Sequence, residues 1–165
     1  DMYPKLVAMA KAAGKKIIVD TSGALLEEVV KAKPNMVKPN IDEIRLLTGK
    51  QILGREELIE AGIELQQSGI ERVVISLGAD GSLMFIDEGV YQAVVPKINA
   101  VNTVGCGDCM TAGFAISFEQ GMTPQEALRF ASATSAASAM REETGYFETE
   151  DMKALFDQIE IKKLR

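Results

Sequence analysis

The sequence predicts an α/β domain with a mainly parallel sheet flanked by helices and one antiparallel hairpin. Helical patterns alternate along the chain with short β-branched runs, of which 16–20 and 72–77 are the clearest. Runs of this kind are typical of strands buried on both faces in a parallel sheet. The hairpin is predicted because the turn at 87–89 separates two apolar runs, 82–86 and 90–95.

The predicted elements begin and end at recognisable residues. Gly14 ends the first helix, which carries Leu6, Met9 and Ala10 on one side. Thr123, directly before a proline, is a typical N-cap with proline at the first helical position. Helices are predicted over 3–13, 24–32, 41–47, 56–67, 108–120 and 124–140 and after Thr149, and strands over 16–20, 36–38, 72–77, 82–86 and 90–95.

Composition limits the classes of function. The chain has 165 residues, enough for one domain with a sizeable core, and it is 47% hydrophobic and 25% charged, as soluble globular proteins are. Its formal net charge of -6 argues against nucleic acid or an anionic membrane as a partner, while a small anionic substrate remains compatible. Because the chain has no histidine, proton transfer must fall to a carboxylate, lysine, cysteine or tyrosine, and an oxygen-ligated Mg²⁺ is the metal it could hold.

The chain shows no signal-peptide pattern and no apolar run long enough to cross a membrane. We therefore expect a cytoplasmic protein. It begins at Asp1 rather than with a methionine, which is expected of a piece of a longer protein.

Four candidate residues lie at or just after predicted strands: Asp20, Asn40, Ser76 and Gly105. In parallel α/β sheets, ligands bind at the carboxyl ends of the strands. Polar and glycine residues at four such ends therefore favour a functional site there.

The stretch 101–114 is a glycine-rich turn that leads directly into a helix. Outward-pointing amides of Gly105, Cys106 and Gly107, together with the helix dipole, would make the turn an anion cradle. Asp108 places a carboxylate at the helix start, either as a helix cap or as a base beside a phosphate. The run is neither a Walker A loop nor a dinucleotide fingerprint, because the residues that complete those motifs are missing.

Cys106 and Cys109 form a Cys-x-x-Cys pattern at the opening of the same helix, which resembles a redox dithiol site. A structural zinc site is disfavoured because there is no second cysteine pair. The simpler interpretation is that Cys106 is a small residue in the turn and that Cys109 faces the helix packing.

Asn40 and Glu43 have the spacing of a capping box, with Pro39 just before them. The functional alternative is that Asn40 or Glu43 orders a Mg²⁺-bound water beside a triphosphate. Lys38 could add positive charge near phosphate, although a lone lysine is more often solvated.

The run 76–81 places Gly78 and Gly81 after a strand, where they allow a ligand to approach the backbone or simply make a turn. The small residues over 131–139 favour close helix packing, with room for a flat ring such as adenine as the alternative.

Together these segments resemble the carbohydrate kinase family that includes ribokinase and the bacterial minor phosphofructokinases. A family signature, Asn/Asp-Thr-x-Gly-Ala-Gly-Asp, stands here at 102–108 with Cys106 in place of the alanine, and Cys109 replaces the serine after the aspartate. The family's Asn-x-x-Glu motif matches Asn40 to Glu43, and its nucleotide loop Ser/Thr-x-Gly-x-x-Gly matches 76–81. The runs 20–23 and 38–40 are similar to the branch of 1-phosphofructokinase and tagatose-6-phosphate kinase.

The resemblance implies a ribokinase-like fold and ATP-dependent phosphorylation of a sugar phosphate with Mg²⁺, most specifically of fructose 1-phosphate to fructose 1,6-bisphosphate. Asp108 would be the general base, while the amides of Gly105, Cys106 and Gly107 would hold the developing charge. The resemblance also implies that Asn40 and Glu43 position the metal and that Lys38 neutralises phosphate charge. Ser76, Gly78 and Gly81 would contact the triphosphate or the ribose, and the helix at 131–140 would lie beside the adenine.

The resemblance covers essentially the whole chain, but it corresponds only to the carboxyl-terminal half of a family member. Residues 1–165 would then be the nucleotide-binding and catalytic part of a single kinase domain. The amino-terminal half would carry most sugar contacts and the lid sheet through which a homodimer forms. Three alternatives stay open: a tagatose-6-phosphate kinase, a nucleotide-binding half without catalysis, and a Cys-x-x-Cys redox module.

Overall fold

A computed structural model describes residues 2–165 of the chain. Helices and strands alternate as the sequence predicts. The helices are α1 Met2–Ala12, α2 Gly23–Ala32, α3 Ile41–Thr48, α4 Arg55–Gln67, α5 Cys106–Glu119, α6 Pro124–Ala139 and α7 Thr149–Gln158. The strands are β1 Ile18–Val19, β2 Met36–Val37, β3 Arg72–Ser76, β4 Ser82–Ile86, β5 Gly89–Val94 and β6 Glu160–Lys163, with a 3₁₀ turn at Gly78–Asp80.

The six strands form a mixed sheet in the order β1-β2-β3-β4-β5-β6. β1, β2 and β3 run parallel, with Val19 opposite Val37 and Val37 opposite Val73. β4 and β5 are neighbours joined by two residues, a link that only antiparallel strands can make, so the predicted hairpin is confirmed. β6, which pairs antiparallel with β5, was not predicted from the sequence.

The chain divides into two compact units. The first unit extends to Leu77 and includes Leu83–Val90 and Arg165, and the second contains Gly78–Ser82 and Tyr91–Leu164.

In the first unit, the parallel strands form the buried centre. Met36, Val37 and Val73 are fully buried, as the β-branched runs predict. α4 packs against β3, and Gly62 of α4 leaves room for the Phe85 ring: a Cβ at Gly62 would lie 2.2 Å from Phe85 Cζ.

The buried face of α1, in the first unit, is not the face that the apolar pattern of this helix suggests. Val7 is the buried residue of α1, and α1 packs against α2. Leu6 and Met9, which share the side named in the sequence, are 50% and 67% exposed. The periodicity therefore identified the helix but not the face that is buried within residues 2–165.

A polar cluster ties the amino ends of the parallel strands. Asn35 Nδ2 and Lys16 Nζ both donate to Glu71 Oε2, at 2.8 and 2.6 Å, and Asn35 Oδ1 accepts from the Ile17 amide at 2.9 Å. Burial by itself raises the pKa of Glu71, but the hydrogen bonds from Lys16 and Asn35, together with the charges of Lys16 and Arg72, outweigh it and the net pKa is lowered. These contacts hold the amino ends of β1, β2 and β3 in register with one another.

In the second unit, α5 packs closely against α6, and α6 against α7. A Cβ at Gly113 would lie 2.8 Å from Ala131 Cα, so the two helix backbones meet where glycine faces alanine. Ala131, Ala133 and Ala137 are fully buried. The interpretation of the small residues of α6 as packing residues is confirmed.

Candidate functional site

In the first unit, the strand register brings the predicted strand-end residues together. Val19 and Val37 are partners, so Asp20 and Lys38 lie side by side just past their strands. Lys38 Nζ lies 3.0 Å from Asp20 Oδ2. One strand further along the sheet, Asn40 and Ser76 form a parallel bridge, and the Ser76 amide donates to the Pro39 carbonyl at 3.2 Å.

The Lys38 side chain is only 6% exposed, whereas the Asp20 side chain is 31% exposed. The interpretation of Lys38 as a solvated lysine is therefore wrong. A buried ammonium is tolerated when a partner charge compensates for its lost hydration, and Asp20 supplies that charge. The pair fixes the Lys38 ammonium at the carboxyl edge of the strands, with its charge balanced by Asp20.

Asn40 and Glu43 make the capping box that their spacing predicts. Asn40 Oδ1 accepts from the Glu43 amide, and Glu43 Oε2 accepts from the Asn40 amide, each at 2.9 Å. The box begins α3 and fixes both side chains at the end of β2. It engages only one of the two carboxylate oxygens of Glu43.

Gly78 and Gly81, the two glycines of the run 76–81, are explained by different features of the structure. Both have a positive φ, 62° at Gly78 and 86° at Gly81. A Cβ at Gly81 would lie 2.0 Å from the Ala93 carbonyl oxygen, so the close approach of β5 explains this glycine without a ligand. Apart from Gly78 and its two chain neighbours, no residue of 2–165 has an atom within 4 Å of a Cβ placed at Gly78, so the backbone there is open to approach.

In the second unit, Gly105 is the N-cap of α5, with φ 83°, and the helix starts at Cys106. The predicted start at Asp108 and its role as a cap are therefore wrong: Asp108 is the third helical residue, and it is exposed. No hydrogen bond or ion pair within residues 2–165 engages its carboxylate.

The first turn of α5 has fewer available amides than the sequence suggests. The Cys106 amide donates to Thr103 O at 3.3 Å, and the Cys109 amide makes the first intrahelical bond, to Gly105 O at 2.9 Å. A helix leaves its remaining first-turn amides without an internal acceptor. These are the amides of Gly107 and Asp108, so the Asp108 amide is a donor that the sequence analysis did not consider.

The segment 142–145, also missed in the sequence, shapes this turn. Asn102 Oδ1 accepts from the Val104 amide at 3.0 Å, while its Nδ2 donates to Glu142 O at 2.8 Å. A Cβ at Gly105 would lie 2.8 Å from Thr144 Cγ2. Gly145, which has a φ of 72°, was the available signal of a tight turn after α6.

The surroundings of the two cysteines disfavour a reactive pair. Both are free thiols, and Cys109 is 7% exposed. Burial raises the pKa of Cys106, and the Ser138 hydroxyl only partly opposes that shift. Reactive cysteines have a lowered pKa, so the raised pKa of Cys106 and the burial of Cys109 disfavour the redox module and support the packing interpretation.

Within residues 2–165, no group of three or more histidine, cysteine, aspartate or glutamate side chains is arranged to hold a metal ion. None of the helices there is both long and apolar enough to span a bilayer.

We expect Cys106 to react slowly with a thiol reagent at neutral pH, because its raised pKa leaves little thiolate. The measurement is the rate of modification of a Cys109→Ser variant, in which Cys106 is the remaining thiol, between pH 6 and pH 10. The rate should keep rising beyond the pH at which free cysteine levels off. A fast reaction at pH 6 would restore the redox interpretation.

Comparison with known proteins agrees with this arrangement. The family model described as pfkB family carbohydrate kinase matches residues 1–151. The chain is 39% identical to 1-phosphofructokinase of Haemophilus influenzae over 90% of its own length, and 37% identical to tagatose-6-phosphate kinase of Staphylococcus epidermidis over 98%. It covers 48% and 53% of those two proteins, so it spans about half the length of these curated relatives.

A solved structure gives the same result for the fold. Arabidopsis thaliana ribokinase complexed with ribose and ATP superposes on 94% of this chain and 52% of its own, with a TM-score of 0.82 and 26% identity. The predicted ribokinase-like fold is confirmed, and the chain belongs to the pfkB family of carbohydrate kinases.

Proposed function

We propose that this chain supplies the phosphoryl-transfer part of a sugar-phosphate kinase that uses ATP. The observation that carries the proposal is the exposed Asp108 carboxylate beside the first-turn amides of α5, in a chain without histidine. The similarity to a 1-phosphofructokinase and a tagatose-6-phosphate kinase supports a ketohexose phosphate as acceptor. We place fructose 1-phosphate first and tagatose 6-phosphate second.

Asp108 acts in this proposal as the general base. Its carboxylate takes the proton of the sugar hydroxyl as the hydroxyl oxygen forms a bond to the γ-phosphorus of ATP and the bond to the bridging oxygen of ADP breaks. Its exposure leaves it accessible to an acceptor hydroxyl, and no competing ion pair within residues 2–165 must first be broken.

The start of α5 would hold the charge on the transferred group. The amides of Gly107 and Asp108 are the donors the structure favours, whereas the Cys106 amide is already used by the turn. Preorganised donors of this kind typically contribute about 3 kcal/mol each to transition-state stabilisation. Gly105 contributes by its left-handed backbone, which sets the direction of the turn.

In the first unit, Lys38 would neutralise phosphate charge. Asp20 holds its ammonium at the strand edge, so little side-chain entropy is lost when a phosphate binds. Ser76 and Gly78 would line the triphosphate or ribose. For Gly81 the packing against Ala93 is a sufficient reason, so its predicted ligand contact has weaker support.

The donor set fits Mg²⁺ held jointly with the nucleotide. Glu43 keeps one carboxylate oxygen outside the capping box, and Asn40 lies beside it. Magnesium typically binds through one or two carboxylates, several waters and the substrate phosphates, so a full protein cage is not required. When bound, the metal would neutralise the charge on the phosphates.

We expect Asp108→Asn, in the complete gene product that contains this chain, to leave ATP binding nearly intact and to lower kcat roughly 100- to 10,000-fold, the usual effect of losing a general base. Asparagine keeps the size and the helix position but cannot accept the proton. Turnover is measured by coupled ADP release, and ATP binding by calorimetry. Turnover close to that of the parent protein would overturn the assignment.

We expect Glu43→Gln to separate the cap from the metal role. Glutamine can also close a capping box, so α3 should retain its stability, whereas the carboxylate charge is lost. The variant should need a higher Mg²⁺ concentration for half-maximal activity, with a smaller change in the KM for sugar. If the metal titration is unchanged, Glu43 is a helix cap alone.

We expect the complete gene product to release ADP fastest with fructose 1-phosphate, more slowly with tagatose 6-phosphate, and least with unphosphorylated sugars. The 165-residue chain should show little transfer by itself, because positioning of the acceptor can account for about 7 kcal/mol or more of the barrier. ATP binding without transfer in the complete product would favour the nucleotide-binding alternative. A preference for an unphosphorylated sugar would move the protein to another branch of the family.

A further inference from the structure

In the second unit, the turn that leads into α5 is attached to the carboxyl-terminal end of α6. The amides of Val101 and Asn102 both donate to the Ala139 carbonyl, at 2.7 and 3.2 Å. Asn102 Nδ2 donates to Glu142 O at 2.8 Å, just beyond that helix. The direction in which α5 begins is therefore set by contacts with the end of α6 and the residues that follow it.

The Cys106 side chain lies in the same contact region. Its thiol donates to the Asn102 carbonyl, with Sγ 3.7 Å from the oxygen. It also lies beside the Ser138 hydroxyl of α6, whose hydrogen bond partly opposes the burial that raises the pKa of Cys106. The alanine that the family signature has at this position could make neither contact, because its side chain is a methyl group. The thiol therefore adds a link between the turn and α6 that the motif itself does not supply.

The hydroxyl of Ser138 has no other partner to explain its burial. Ser138 is 1% exposed, and its hydroxyl makes no hydrogen bond to an oxygen or nitrogen atom within residues 2–165. Ser117 of α5 is also buried, but its hydroxyl donates to Gly113 O at 2.8 Å. A buried hydroxyl without a partner is costly, so the Cys106 thiol is the group that compensates for the burial of Ser138.

We propose that Cys106 and Ser138 are positioning residues for phosphoryl transfer. Their contact holds the turn against α6, and the turn directs the amides of Gly107 and Asp108. The inference rests on the proposed function, because these amides are the donors assigned there to the transferred group. Preorganised donors act at the position where charge develops in the transition state, so a small displacement lowers kcat more than it lowers the affinity for ATP.

The test is a double-substitution cycle in the complete gene product that contains this chain. We expect Cys106→Ala and Ser138→Ala each to lower kcat, measured by coupled ADP release, about three- to tenfold. The dissociation constant of ATP, measured by calorimetry, should change by less than about twofold. The combined variant should lose no more than the worse single variant, because both changes remove the same contact. Losses that multiply, or single variants with the kcat of the parent protein, would overturn the inference.

Two further variants separate positioning from stability. Cys106→Ser keeps a donor at the same place, so it should recover most of the kcat that alanine loses. Ser117→Ala is the matched control, since it also removes a buried serine hydroxyl but lies about three helical turns further along α5. It should keep kcat within about twofold of the parent protein. An equal loss of kcat in the control, or no recovery with serine, would contradict a positioning role.

A measurement without nucleotide keeps this inference separate from the proposed function. The Val104 amide, which donates to Asn102 Oδ1 at 3.0 Å, reports on the turn. The Cys109 amide, which donates to Gly105 O at 2.9 Å, reports on the start of α5. Both should exchange hydrogen about threefold or more faster in each single variant, and no faster in the combined variant.

The two readouts distinguish the possible failures. Unchanged amide exchange in the single variants would overturn the inference even in a protein that is an active kinase. A parent protein that shows the expected exchange but no turnover with any sugar phosphate would overturn the proposed function, and with it the role of this contact in phosphoryl transfer.

Discussion

Parallel registration of β1, β2 and β3 is the constraint on which the candidate residues of the first unit depend. Equal register places the residue after each strand at a common edge, so Asp20 meets Lys38 and Asn40 meets Ser76. The cluster of Lys16, Asn35 and Glu71 holds the opposite ends of the strands. A slip of one residue would turn every side chain of a strand to the other face and would separate the ion pair.

The candidate residues of the second unit depend on a local turn rather than on the sheet. Gly105 meets two requirements at once: its backbone is left-handed, and Thr144 lies too close for a side chain. Asn102 ties the turn to the segment at 142–145. Any other residue at position 105 would have a strained backbone and would also clash with Thr144. The direction of the first-turn amides of α5 would then change with the turn.

Several candidate residues have a structural reason to be present that is independent of any ligand. Asn40 and Glu43 cap α3, Gly81 admits the Ala93 carbonyl, and Cys109 fills a buried position. Asp108 differs from these residues, since it neither caps α5 nor pairs within residues 2–165. The contrast explains why Asp108 supports the functional proposal more strongly than the other motif residues do.

The sequence by itself determined the elements whose signals are local. Glycine stops, the capping box of α3, the Thr123-Pro124 start of α6, and the β-branched runs of β1 and β3 identified the helices and most of the strands of residues 2–165, because these patterns act within a few residues. The motifs and their order were also sufficient to identify the family.

Tertiary structure decided what depends on distant neighbours. β6 is a short, charged segment that becomes a strand only by pairing with β5, and Lys38 is buried only because Asp20 follows the neighbouring strand. The face of α1 that is exposed, the occupied amide of Cys106 and the role of the segment at 142–145 likewise follow from packing and hydrogen bonds. Such contacts join residues far apart in the chain, so no local pattern could reveal them.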